Sequence, residues 1–208
     1  MINILCFGDS NTFGTNPAGG RHDRNRRWTG VLQQLLGSGY YVIEEGMGGR
    51  TTVHEDPFEP GRCGKTALSV ALQSHKPLDL VILSLGTNDC KLNFNLTPEL
   101  VARGAEILCQ MIREFDYGFC EPPKILLVSP IQMGEDLENC PFASFDAGSV
   151  ERTKNLSPWF EAVAKRQGCL FLDGASVAES GSDQLHMDEE GHQKLAEALC
   201  EVIQREFS

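Results

Sequence analysis

The 208-residue chain has no apolar run long enough to cross a bilayer as a helix. Its first residues, Met1-Ile2-Asn3-Ile4-Leu5-Cys6-Phe7-Gly8, lack a basic stretch and a small-residue cleavage site, so they read as a strand and cytoplasm is the expected location. Positive charge is scarce too: 18 Lys and Arg stand against 29 Asp and Glu, a formal net charge of −11. That balance argues against nucleic acid or an anionic membrane surface as the main partner. The one basic cluster, Arg21, Arg24, Arg26 and Arg27, reads as a solvated loop face. None of the eight cysteines forms a CxxC pair or groups with histidine at zinc-site spacing. Without a secretion signal they are expected to be reduced, with Cys6, Cys109, Cys169 and Cys200 as small core residues. No Asp/Glu/His grouping has ligand spacing, and neither a Walker lysine pattern nor GxGxxG appears, so no metal and no cofactor is expected.

What is present is an alternation of short apolar runs with longer helical patterns. The strand-like runs are Ile2–Phe7, Tyr41–Ile43, Leu80–Leu85, Ile125–Ser129 and Cys169–Leu172. Continuous runs such as Leu80-Val81-Ile82-Leu83 suit strands buried on both faces, as in a parallel sheet. Helices are predicted near Trp28–Leu36, Lys65–Ser74, Pro98–Phe115, Glu151–Gln167 and Asp188–Phe207. In the last, Leu195, Ala198, Leu199, Val202 and Ile203 form an apolar stripe that should face the sheet. Gly134–Val150 is polar with little periodicity and reads as a long loop bordering a site. The pattern predicts one α/β domain over residues 1–208, three layers deep, with a central parallel sheet of about five strands. Chemistry should lie at the carboxyl ends of those strands.

Four motifs fall there: Gly8-Asp9-Ser10-Asn11, Gly46-Met47-Gly48-Gly49-Arg50, Gly86-Thr87-Asn88-Asp89 and Asp183-Gln184-Leu185-His186. Acyl transfer would use all four. A serine hydroxyl is a poor nucleophile until a base takes its proton, and the base needs a partner that fixes its tautomer. Ser10, His186 and Asp183 supply those types, and one helical or 3₁₀ turn would bring Asp183 and His186 to one side. The oxyanion needs preorganised donors, for which the candidates are the N–H groups of Ser10 and Gly49 and the Asn88 amide. Asp9 and Asp89 read as loop-holding acceptors beside them. Singly, Ser10 could be a helix cap and Asn88 a turn residue. His22, His54, His75 and His192 have no comparable setting and read as surface or structural residues. The alternative from another class is a flavodoxin-like module binding an anion or flavin at Gly8-Asp9-Ser10-Asn11-Thr12. Asp9 would repel a phosphate there, and Asp183 and His186 would be left without a role.

Ser10, Gly49, Asn88 and His186 match the four residues for which the SGNH (GDSL-like) hydrolases are named. Ile4-Leu5-Cys6-Phe7-Gly8-Asp9-Ser10, Arg27-Trp28-Thr29-Gly30, Val42-Ile43-Glu44-Glu45-Gly46, Arg50-Thr51-Thr52 and Val128-Ser129-Pro130 resemble an arylesterase/acyltransferase branch. Asn11 stands where the wider group has the leucine of its GDSL label. The resemblance weakens between Pro57 and Lys76 and from Gly134 to Val150. It implies a flavodoxin-like sheet and cofactor-free hydrolysis of short acyl or aryl esters, with acyl transfer to water or an alcohol. It also implies self-association into a homo-oligomer, and tolerance of alanine at position 49.

Overall fold

Each core strand alternates its side chains between two apolar layers, which is why its sequence is apolar throughout. The computed structural model describes residues 1–207, and its strands are Ile2–Gly8 (β1), Tyr40–Gly46 (β2), Leu80–Ser84 (β3), Lys124–Ser129 (β4) and Leu170–Asp173 (β5). All neighbouring pairs are parallel, in the order β2-β1-β3-β4-β5. Ile4 and Cys6 of β1 and Leu80 and Ile82 of β3 pack on one face with Trp28–Leu36 (α2) and Glu189–Glu206 (α7). Leu5, Phe7, Val81 and Leu83 pack on the other with Gly64–His75 (α3), Pro98–Glu114 (α4) and Ser157–Gln167 (α6). Three short or irregular stretches complete the site region: a single turn at Ser10–Phe13 (α1), which the sequence pattern did not predict, Ala147–Lys154 (α5), and the loop before it.

The expected elements are present, with instructive differences. β2 extends beyond its apolar run to Glu44, Glu45 and Gly46, because it is an edge strand whose outer positions need no apolar side chain. The single helix predicted over Glu151–Gln167 is two helices, parted at Asn155-Leu156 where Pro158 enters the first turn of α6 without an N–H to continue the ladder. α5 begins inside the predicted long loop, where the Asp146 side chain caps the Ser149 N–H at 2.8 Å. The buried stripe of α7 is Leu195, Ala196, Leu199, Cys200 and Ile203; Ala198 and Val202 only flank it. All eight cysteines are free, and Cys169 is only partly buried. Among the described residues no helix is long and apolar enough to cross a membrane.

Arg27 is not part of a solvated face. It is buried, and its guanidinium grips Glu44 at the edge strand with two bonds of 2.8 Å. Burial alone would raise the Glu44 carboxyl, but hydrogen bonds from Arg27 and Thr29 hold it below its ordinary value. Arg21, Arg24 and Arg26 are exposed, as expected; Arg26 pairs with Glu189 on α7 and Arg21 stacks on the Phe13 ring of α1 at 3.9 Å.

His192 is the structural histidine of this layer. Fully buried on α7, it accepts the Trp28 N–H at 3.2 Å through Nδ1 and meets the His22 ring edge-on at 5.0 Å. Burial, with His22 beside it, pushes its pKa down to about 3. A free histidine titrates near 6.5, so between those values the unfolded chain binds the extra proton. The His192 contribution to stability is complete above 6.5 and is lost as pH falls toward 3. Urea unfolding should therefore show the gap between wild type and His192→Gln shrinking by about 2 kcal/mol from pH 7.5 to pH 5. A gap independent of pH would mean that His192 is not held neutral by the fold.

Candidate active site

Strand order places a crevice between the ends of β1 and β3. The chain leaves those neighbours toward α2 and α4, on opposite faces of the sheet, and the diverging connections leave room between them. Gly8, Gly46 and Ser84 sit level in the register at that edge. Gly8 has no room for a side chain: a Cβ would stand 2.0 Å from Thr12 Oγ1 and 2.7 Å from the Ser84 carbonyl. The Asp9 carboxylate accepts the Asn11 N–H at 3.0 Å and starts α1, so Ser10 becomes its first residue, at the crevice. Gly46 lets β2 end against α1, because a Cβ there would lie 2.1 Å from the Phe13 backbone nitrogen.

Asp183 and His186 are joined by a bend, not by the helical or 3₁₀ turn expected, and Gln184 within it has φ +66. Asp183 makes the bend itself: Oδ1 accepts the Leu185 and His186 N–H groups at 3.0 and 2.8 Å, and Oδ2 meets His186 Nδ1 at 2.6 Å. Burial pushes the Asp183 carboxyl up, but the His186 ring and these two amides outweigh it and hold it below the ordinary carboxylate range. Phe142 meets the His186 ring in a T-shaped contact, with centroids 5.4 Å apart. Ser10, Gly49, Asn88 and His186 line one cleft of about 260 Å³. Its wall also holds apolar Phe142, Phe145 and Leu185 and charged Glu59, Arg62 and Lys91. Neither the Ser10 nor the Gly49 N–H donates a hydrogen bond among the described residues, and Asn88 Nδ2 donates to the Arg50 carbonyl at 3.1 Å. No hydrogen bond joins His186 to Ser10 here.

The model of the GDSL-like lipase/acylhydrolase family matches residues 6–194. The chain belongs to that family. As a GDSL-like acylhydrolase it is a carboxylic ester hydrolase. It is 36 % identical to the aryl esterase of M. smegmatis, covering 99 % of both chains with a TM-score of 0.92. It is 34 % identical to Est24, a carbohydrate acetylesterase from Sinorhizobium meliloti, over 100 % of both chains with a TM-score of 0.94. An acetylxylan esterase of Xylanibacter ruminicola is 28 % identical, and this chain spans 43 % of its length.

The GDSL-like site is braced by residues that sequence reasoning undervalued. Asn11, where the wider group has leucine, clamps the histidine segment to α1. Its Oδ1 accepts the Met187 N–H at 2.9 Å and its Nδ2 donates to the Leu185 carbonyl at 3.4 Å. No local signal could reveal this, because the partners lie more than 170 positions along the chain. Arg50 is buried; it donates to the Gly8 carbonyl at 2.9 Å and to the Glu45 carbonyl, and stacks on Phe7 at 4.2 Å, tying β1 to β2. Asp89 ties the loop after β3 to the loop after β2 by accepting the Thr52 N–H at 2.9 Å and the Thr52 hydroxyl at 2.6 Å. Burial pushes Asp9 up to about 6 and Asp89 up to about 7, against the hydrogen bonds each receives. Gly49 has φ +74, and a Cβ there would lie 2.6 Å from Glu59 Oε2. Alanine, which the family resemblance suggests is tolerated, would be strained at this φ, and the Glu59 carboxylate would have to swing aside.

Proposed function

We propose that the chain hydrolyses short-chain acyl or aryl esters, acetyl esters of carbohydrates among them, through an acyl-enzyme on Ser10. The observation that carries this is the convergence of Ser10, Gly49, Asn88 and His186 on one cleft, with Asp183 bonded to the far side of the His186 ring. In the proposed sequence, Ser10 Oγ attacks the ester carbonyl while His186 Nε2 takes its proton. Asp183 holds the other ring proton on Nδ1 and stabilises the imidazolium. The oxyanion of the tetrahedral intermediate accepts from the Ser10 and Gly49 N–H groups and from the Asn88 proton not committed to Arg50, each donor contributing about 3–4 kcal/mol. The C–O bond to the alcohol breaks, and the alcohol leaves with the proton from His186. Water, or a second alcohol, then attacks the acyl-enzyme by the same steps, giving the acid or a new ester and restoring Ser10. Every proton and electron pair stays among substrate, the water or alcohol acceptor, Ser10 and His186, so the proposed cycle needs no cofactor.

The anion- or flavin-binding alternative is less well supported. The Asn11 N–H, which an anion at α1 would need, is already taken by Asp9, and α1 is a single turn. The small cleft with its apolar wall of Phe142, Phe145 and Leu185 favours short acyl groups. The test is hydrolysis of p-nitrophenyl esters from acetate to octanoate by wild type and Ser10→Ala, without added metal or flavin. The expected result is activity that falls with chain length and is lost in the variant. Equal rates in both proteins would remove Ser10 from the mechanism.

A further inference from the structure

The cleft contains charges that the acyl-enzyme cycle does not use. Lys91 follows the turn that carries Asn88, and its side chain is 5 % exposed. Its Nζ donates to Asp56 Oδ2 at 2.8 Å and to Glu59 Oε2 at 2.7 Å. Asp56 is itself buried, its side chain 1 % exposed, and its carboxylate also accepts the Phe58 N–H at 3.0 Å, so the segment is held from inside. Glu59 is different: its side chain is 45 % exposed, it lines the cleft, and its Oε2 lies 2.6 Å from where a Gly49 side chain would begin. A carboxylate thus lies beside the residue whose N–H is the proposed oxyanion donor.

That placement needs a counter-charge. A negative charge developing at the oxyanion is repelled by a nearby carboxylate, and the repulsion grows where water is excluded. Arg62, with Nε 3.3 Å from the same point, is one cation there, against the two carboxylates, Glu59 and Asp56, that Lys91 holds. Without Lys91 the group Asp56, Glu59 and Arg62 carries a net negative charge beside Gly49; with Lys91 it is neutral.

We infer that Lys91 is a positioning residue for ester hydrolysis, neutralising the Glu59 carboxylate that lies against Gly49 so that the oxyanion hole can accept negative charge. The inference rests on the Ser10, Gly49 and Asn88 assignment above. Its effect belongs to the transition state, so it should fall on kcat and leave KM nearly unchanged.

Two variants separate charge from scaffold. Lys91→Met keeps Asp56, Glu59 and Arg62, a surplus negative charge with Glu59 against Gly49. Lys91→Met/Glu59→Gln keeps Asp56 and Arg62 and is neutral again. Both lose the lysine and leave Asp56 buried without it, so a purely structural role gives the two the same kcat. With p-nitrophenyl acetate, kcat of the first is expected to be about tenfold or more below that of the second, with similar KM. Equal values, or the reverse order, would overturn the inference. Glu59→Gln alone keeps the Lys91–Asp56 pair and needs no rescue of folding; its kcat is expected to rise by about twofold to fivefold, and a fall would overturn the inference equally. Ser10→Ala assayed beside them keeps the two failures apart. If Ser10→Ala is inactive while the kcat order is wrong, only the role of Lys91 falls. If Ser10→Ala is active, the Ser10 mechanism falls and takes this inference with it.

Discussion

Ser10→Ala and His186→Ala are each expected to lower ester turnover by roughly 10⁴-fold or more, and the double variant to lose little beyond either single one. The hydroxyl and the imidazole act in one step: without His186 the Ser10 proton has no acceptor, and without Ser10 the imidazole has no nucleophile to activate. Once one is gone the other contributes nothing that its removal could take away. What survives in all three variants is binding and oxyanion stabilisation, which leave a similar residual rate. Steady-state kinetics on p-nitrophenyl acetate for wild type and the three variants give the answer directly. Losses that multiply in the double variant would mean that the two residues work in separate steps, contrary to the shared cleft that Ser10 and His186 line. Folding is a small risk for Ser10→Ala, since the capping of α1 comes from Asp9 and not from Ser10.

Asp183→Asn is expected to cost about 10³–10⁴-fold in kcat while the chain stays folded. The reason lies in how the carboxylate divides its acceptors. Oδ1 takes the Leu185 and His186 N–H groups and Oδ2 takes the ring at Nδ1. An asparagine that keeps its oxygen on the two amides turns its NH₂ toward Nδ1. The ring must then accept there and carry its proton on Nε2, where it cannot take one from Ser10. An asparagine flipped the other way leaves two buried N–H groups facing its NH₂, at a cost of about 1–3 kcal/mol for each orphaned donor. The kcat of Asp183→Asn and the His186 tautomer, read from ¹⁵N shifts, test this together. A rate within tenfold of wild type, or Nδ1 still protonated in the variant, would show that Asp183 does not set the tautomer.

Much of the candidate site was legible because its parts are local. Ser10 and Asn88 stand where a buried apolar strand stops at a polar residue, and that boundary is visible in any parallel-sheet sequence. Asp183 and His186 are three positions apart, close enough for their pairing to be expected, although the turn between them was not: a carboxylate folding back on two amides has no hydrophobic period to announce it. The burial of Arg27 and the clamp made by Asn11 were not legible for a related reason. A polar side chain carries no mark of whether it will meet water or a buried partner, and Arg27 meets Glu44 on another element while Asn11 meets the histidine segment.

By itself, then, the order of residues determined the alternation of strands and helices, the strand ends as the place to expect chemistry, and the residue types available there. Those properties follow from periodicity and from side-chain chemistry, which neighbours in the chain decide. Only the tertiary structure decided that β1 and β3 lie side by side, that Ser10, Gly49, Asn88 and His186 share one cleft, and that Lys91 stands between Asp56 and Glu59 at its wall. These depend on strand order and on buried polar contacts between distant segments, whose strength comes from exclusion of water, a condition that exists only once the chain has folded.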